Sequence, residues 1–394
     1  MWLNYLCILL IAFAVCVSRN EALNVIALYV AIPLSFLGSF FYNKNSFARN
    51  RYLKMILLLY LWMLFTIFTS QDVDGSLVHI SPMLGCILLC FIVSNLAYNQ
   101  KLLPWIYLVY ILLLVEAMIY VQNNILSLSY DISSARADDD RINANTLAYY
   151  LFYATISLYV VGVIIVNKRL KRMFSLLFLV MIPLSFYIAI IAASRQVLII
   201  QIPTLSILLW IRYFQNSKVV TKMISICIVI IAFLFFNESI SNVYNNSYLS
   251  VRNENSYEED VRVLLIKEAV NIGCEHPILG LGPGGFARQQ ADHLFSHCSY
   301  TELFANSGFP ALAIYVYILI YFMRCQLKRY IRYKDKMYLI FFTFGVMYSI
   351  YQFFFVFVTD LWLISFFLLV STHSEVYYLQ NVQYDRAIGL KPKE

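Results

Sequence analysis

Long apolar runs, each bounded by charged or turn-forming residues, dominate the chain. Twelve can be drawn, at approximately 2–17, 23–42, 55–70, 77–98, 102–121, 146–166, 173–193, 197–214, 223–237, 306–323, 337–354 and 361–377. About 20 apolar residues in a helix cross a hydrocarbon core of about 30 Å. The pattern therefore predicts an all-α, polytopic integral membrane protein with about 12 transmembrane helices. The last two spans come from one run, Met337 to His373, in which Asp360 is the only residue of type Asp, Glu, Lys or Arg. Such a run is too long to cross once and is expected to fold back near Asp360. The first run has no basic residue ahead of it and is read as a span, not as a secretion signal. The largest polar stretch, 238–305, becomes a loop within a single transmembrane domain, 1–394. Inside it, Ser256-Tyr257-Glu258-Glu259 fits a capping box. An amphipathic helix is expected to follow to about Ile272, with Val261, Leu264, Leu265, Ala269 and Ile272 on one face and Gly273 at its end.

Composition narrows the class. Apolar residues make up 61% of 394 and charged residues 13%, against about 45–50% and about 25% in globular proteins. A soluble multidomain chain and a disordered one are both excluded. Charge then gives direction, because Lys and Arg concentrate in cytoplasmic loops. With both termini cytoplasmic, 21 of the 29 basic residues lie inside, sixteen of the 22 acidic residues lie outside, and Glu116 and Asp360 fall at membrane depth. The net charge of +7 is thus a topology signal and implies no nucleic-acid partner. Only two outer loops are long, about 122–145 and 238–305, and the short inner loops carry no nucleotide motif. The chemistry is expected at the external face.

Half of the twelve glycines lie between 273 and 308, so this stretch needs tight turns or close backbone approach. Gly280, Gly282 and Gly285 spell GxGxxG, but a dinucleotide fingerprint requires a βαβ unit that an inter-span loop does not supply. A different likeness fits better. His276-Pro277 leads into the glycine turn, and His297 is followed eleven residues later by Gly308. Ser194-Arg195 lies between two spans, Arg262 lies on the loop helix, and Asn145-Thr146-Leu147-Ala148 enters the sixth span. Together these resemble the O-antigen ligase and O-antigen polymerase superfamily over roughly 140–325. The ligase pattern has Asn, Ser or Gln after the histidine; here that position is Cys298.

The resemblance implies a glycosyltransferase similar to C-type enzymes, acting outside the bacterial inner membrane on glycans carried by polyprenyl diphosphate. Its implied partners are these lipid-linked oligosaccharides, membrane lipids, a chain-length regulator and a flippase. Arg195 and Arg262 would hold the diphosphate, since guanidinium forms bidentate bonds to phosphate oxygens and stays charged. His297 would orient or activate the acceptor hydroxyl. Asn145, Glu116, Gly282 and Gly308 would support the site, with no cofactor and no metal. Polymerisation of repeat units is the leading reaction. Ligation of polymer to a lipid A core is the alternative, and a lipid transporter or flippase is the reading from another class.

Each of these residues also has a plainer reading. Arg195 could anchor a helix end at the interface, Arg262 could pair with Glu258 four residues earlier, and His293 is a rival to His297. Glu116 could be satisfied by neighbouring Tyr and Asn side chains. Asp72-Val73-Asp74 and Asp138–Asp140 resemble metal-binding clusters, yet acidic clusters are expected on an acid-rich outer side. Cys274 and Cys298 flank the glycine turn, and a bridge or two thiols remain equally open. The orientation is testable with reporters. A phosphatase active only outside the cytoplasm, inserted after Asn253, is expected to work, and one fused to the C-terminus is expected to be silent; the reverse pattern would invert the topology.

Overall fold

The computed structural model describes residues 2–17, 20–42, 50–70, 72–126, 144–215, 242, 245–246, 261–290, 294–356 and 360–387, and all regular structure among them is helical. In chain order the helices are α1 (Trp2–Cys16), α2 (Glu21–Phe41), α3 (Arg51–Phe68), α4 (Val73–Ala97), α5 (Leu103–Asn123), α6 (Asn145–Ile164), α7 (Lys168–Ile191) and α8 (Val197–Phe214). They continue with α9 (Val261–Glu275), α10 (Gly285–Gln289), α11 (Ser299–Tyr333), α12 (Lys336–Tyr351) and α13 (Leu361–Ala387). Eight of the described helices, α2 to α8 and α11, are long and apolar enough to cross a membrane, and α1 and α12 are shorter apolar helices. The expected span at 223–237, the capping box at 256–259, Asp138–Asp140, Glu258 and His293 lie outside the described residues.

Side-chain caps set several helix starts. Asn50 accepts from the Leu53 N–H at 3.2 Å, Asn167 from Arg169 at 2.9 Å, and Asp335 from Met337 at 2.9 Å. Asp360 accepts from both Trp362 and Leu363 at 2.9 Å. Each carboxylate or amide oxygen satisfies an N–H that has no partner in the first helical turn. The chain does fold back near Asp360, and capping gives this carboxylate a structural use.

The chain forms two compact units, Met1–Val109 with Glu258–Glu394, and Tyr110–Tyr257. The first is built around α11. Phe322 stacks edge-on against Phe367 at 5.4 Å, Phe344 against Phe366 at 5.6 Å, and Tyr348 lies over Phe367 at 5.1 Å. Several buried polar groups are paired within this aromatic core. Asn50 donates to Ser94 at 2.5 Å and Thr372 at 2.7 Å, and the His373 Nδ1 stands 3.0 Å from the Tyr107 hydroxyl. In the second unit, α6 is the most enclosed helix, with 89% of its span buried. Gln201 on α8 donates to Thr155 on α6 at 2.7 Å. Arg212 reaches Ser175 and lies 5.3 Å from the Tyr159 ring centre.

Three features of the segment from 261 onward differ from the sequence-based expectation. The loop helix α9 runs through Gly273 to Glu275, so Gly273 does not end it. A Cβ at Gly273 would run into the Phe304 ring, so the glycine serves close helix packing instead of termination. Leu265, Ala269 and Ile272 are buried as expected, but Val261 and Leu264 are exposed. The following helix, α11, starts at Ser299, before the expected 306. At 35 residues it is roughly 50 Å long.

The helical path of α11 is broken at Gly308, which has φ 72° and ψ −179°, a conformation essentially reserved to glycine. Pro310 follows and has no N–H to give to the Asn306 carbonyl. The glycine turn supplies what the break removes. Leu281 donates to the Ala305 carbonyl at 2.9 Å, Gly282 donates to Asn306 at 2.9 Å, and Phe309 donates back to Pro277 at 2.7 Å. The indole N–H of Trp62 reaches the Ser307 carbonyl at 2.9 Å. So close an approach leaves no room for side chains: a Cβ on Gly308 would strike the Ile278 carbonyl, and one on Gly280 would strike the Asn306 backbone.

Gly308→Ala is therefore expected to lower stability by at least about 1–3 kcal/mol for the strained backbone alone. Thermal unfolding of the purified protein in detergent should show this as a lower midpoint; an unchanged midpoint would contradict the close approach.

Candidate functional site at the glycine knot

The glycine turn and the start of α11 form a knot whose interior is polar. Glu302, 3% exposed, accepts from the Ser296 N–H through Oε2 and from the Asn306 amide through Oε1, both at 2.8 Å. Asn306 in turn accepts from the Phe286 N–H at 2.7 Å. Two side chains one helical turn apart thus hold three segments together: residues 294–298, α11 and the start of α10. Ser296 also donates to the Cys298 carbonyl at 3.0 Å.

Held between Ser296 and Cys298 is His297. It is half-buried and has φ 55°, a left-handed backbone for a residue with a side chain. Such a conformation is unfavourable and persists where the surroundings fix it. Here the fixing groups are Glu302, through the preceding N–H, and the buried Cys298. Among the described residues the other non-glycine positions with positive φ are Ala193 and Lys334. Lys334 ends α11. Ala193 lies in the turn before Ser194-Arg195.

A second set of bonds anchors the turn to residues 70–76, at the entry to α4. Ser70 donates to the Leu281 carbonyl at 2.7 Å and accepts from Ser76 at 2.9 Å. Arg288 donates to Ser76 at 2.8 Å, Gly75 at 2.9 Å and Pro283 at 3.1 Å, and its Nε lies 2.9 Å from the Asp72 carboxylate. Asp72 also caps the Gly75 N–H at 3.0 Å. Asp72 thus has structural partners, and among the described residues no group of three His, Cys, Asp or Glu side chains could hold a metal ion. Beside the knot, a cavity of about 210 Å³ is lined by His79, Glu302, Asn306, Gly284, Phe295 and apolar neighbours.

The expected site residues fall into two groups. In the first unit, Gly282 and Gly308 are the knot itself, His297 is carried by it, and Arg262 lies half-buried on α9, which packs along α11 through Gly273 and Phe304. In the second unit, Asn145 is buried at the start of α6 and its Oδ1 lies 3.4 Å from the Ser194 hydroxyl. Asn145 therefore braces the turn that carries Arg195, itself half-buried just before α8. Glu116 is half-buried on α5. His276 helps form the turn, its carbonyl accepting from Gly280 at 3.0 Å. Cys274 is exposed, Cys298 is buried, and the two are unbridged.

Residues 180–316 match the family model for O-antigen ligase. Over this segment the chain is similar to O-antigen ligases, and the likeness supports the O-antigen polymerase and ligase superfamily. The matched segment runs from the second half of α7 to the middle of α11. It contains Ser194-Arg195, Arg262, the glycine turn, His297 and Gly308. The spacing from His297 to Gly308 has a physical meaning here, because Gly308 breaks the helix onto which the glycine turn docks, and the bonds within that knot hold His297. Members of the superfamily are glycosyltransferase-like membrane enzymes, and the apolar helices make this chain a multi-pass membrane protein. No curated protein matches the chain.

Glu302, Asn306, Ser296 and Arg288 are absent from the sequence reading. A usable signal existed for the first: Ser299-Tyr300-Thr301-Glu302 has the spacing of a capping box. It would have started the helix seven residues earlier and put an acidic residue inside it. Glu302 has two acceptor oxygens, whereas Gln offers one and Leu offers none. Glu302→Leu is expected to cost about 1–3 kcal/mol for each buried donor it leaves unpaired, with Glu302→Gln intermediate. Thermal midpoints that rank otherwise would contradict the bridging role.

Proposed function

We propose that the chain is a polymerase of lipid-linked repeat units, active at the external face of the bacterial inner membrane. The growing glycan leaves its polyprenyl diphosphate and joins a hydroxyl on the terminal sugar of a new lipid-linked unit. The glycosidic bond to the diphosphate breaks, a new one forms to the acceptor oxygen, and the hydroxyl proton is removed. The observation that carries the reading is His297, an imidazole in a left-handed backbone braced by the buried Glu302. A histidine held at a fixed backbone position suits the orientation or deprotonation of a hydroxyl near neutral pH.

The leaving diphosphate gathers negative charge as the bond breaks, and fixed positive charge aimed at it lowers the barrier. Arg195 and Arg262 take this role in the proposal. Arg195 stands at the start of α8, and a helix N-terminus adds its own partial positive charge for an anion. Two guanidinium groups would supply the charge that a metal supplies elsewhere, so activity is expected to survive a chelator.

The ligase reaction is the second reading, favoured by the family description and by the spacing from His297 to Gly308. Cys298 supports the polymerase. It replaces the polar neighbour of the ligase pattern, and it is buried.

Deleting the gene and resolving the surface glycolipid on a gel separates the two. Core bearing a single repeat indicates a polymerase; bare core with lipid-linked polymer retained indicates a ligase. His297→Ala is expected to lower turnover by about 10²–10⁴. Arg195→Ala and Arg262→Ala are each expected to lower it by about 10²–10³. All three should reach normal membrane levels. Full complementation by all three would refute the site.

A further inference from the structure

The charge distribution of α11 points to a second binding site, at the opposite end of the helix from the knot. From Asn306 to Lys328 the helix advances about 33 Å, roughly one hydrocarbon thickness. At that distance a cavity of about 1190 Å³ opens in the first unit. Cations from two separate helices meet there, Arg51 from the start of α3 and Lys328, Arg329 and Arg332 from α11.

One of these charges is already compensated. Arg329 pairs with Glu375 at 2.6 Å and lies 4.4 Å from the Tyr378 ring centre, with both charged groups largely buried. Glu375 is the only carboxylate among the residues lining the cavity. Arg51 donates to the Tyr321 hydroxyl at 3.1 Å, which adds a neutral partner and no negative charge. Arg51, Lys328 and Arg332 therefore leave an excess of three positive charges around one space. Arg51 also occupies the first turn of α3, at the positive end of the helix dipole, where a cation is disfavoured. A general preference for basic residues on the cytoplasmic side explains cations at this end, but it does not gather them from two helices around a cavity. The lining is amphipathic, with Ile331 and Leu379 beside the tyrosines.

We propose that this cavity binds the phosphate headgroup of an anionic phospholipid from the leaflet at that end. The phosphate oxygens would meet Arg51, Lys328 and Arg332, and the glycerol and upper acyl chain would lie on Ile331 and Leu379. That apolar surface, at a depth set by the bilayer, favours a lipid over free phosphate.

Native mass spectrometry of the purified full-length protein tests the site with three probes: phosphatidylglycerol, phosphatidylethanolamine and inorganic phosphate. One phosphatidylglycerol per chain is expected to survive detergent removal, at least tenfold above the other two probes. K328Q/R332Q, carrying two neutral substitutions at the exposed end of α11, is expected to lower that occupancy tenfold or more. K168Q/R169Q, which removes two cations at the start of α7, is expected to leave it unchanged. Equal loss in both double variants would reduce the effect to general charge and overturn the site. Retention by K328Q/R332Q, or equal binding of phosphatidylethanolamine or inorganic phosphate, would overturn it as well.

Discussion

The carbonyls of Ala305 and Asn306 are the points on which the glycine turn and its surroundings depend. Gly308 leaves the helical path and Pro310 lacks an N–H, so both acceptors lose their helical partners in a region where Ala305 is fully buried and Asn306 nearly so. A buried backbone group left unpaired costs about 1–3 kcal/mol. The N–H groups of Leu281 and Gly282 remove that cost, and in doing so they fix the path of the glycine turn. Everything nearby follows from this docking. Ser70 satisfies the Leu281 carbonyl, Arg288 ties the turn to residues 72–76, and Asn306 uses its side chain to hold α10 while Glu302 holds Ser296.

Among the described residues, helix existence was legible in the sequence where apolar runs were long, because one requirement, a spanning length of apolar residues, decides it. The turn at Asp360 was legible for the same reason. The importance of the glycines was legible too, although their use was not. Gly273 looked like a helix terminator and instead accommodates Phe304. Gly308 looked like a motif position and instead breaks a helix so that another segment can pair with it. Those uses depend on residues about thirty positions apart coming within hydrogen-bond distance, and a linear pattern carries no such information. Glu302 was hidden by a misplaced boundary: with the span drawn from 306, a carboxylate four residues earlier read as one more acid in an acid-rich loop.

The candidate residues share a physical style that ordinary surface residues lack. His297 sits in a left-handed backbone, and Arg195 follows Ala193, which does the same. Each is braced by a buried polar side chain from another segment, Glu302 through Ser296 in one case and Asn145 through Ser194 in the other. A plain interfacial arginine or loop histidine needs no such brace. The proposed transfer chemistry asks for groups held in place before substrate arrives, since charge stabilisation works when it costs no reorganisation. The same long helix α11 that carries the knot at one end carries the basic cavity at the other. One element thereby carries both features of the first unit.

The claim at the centre is that the glycine turn and the segment bearing His297 are one hydrogen-bonded body clamped at the Gly308 break. Amide hydrogen exchange on the purified protein in detergent measures this directly, read in peptides covering Leu281–Gly282 and Ser296–His297. Both peptides should be strongly protected in the wild-type protein and should lose protection together in Gly308→Ala. Rapid exchange at Leu281 and Gly282 in the wild-type protein, or loss in one peptide with full protection of the other, would contradict it.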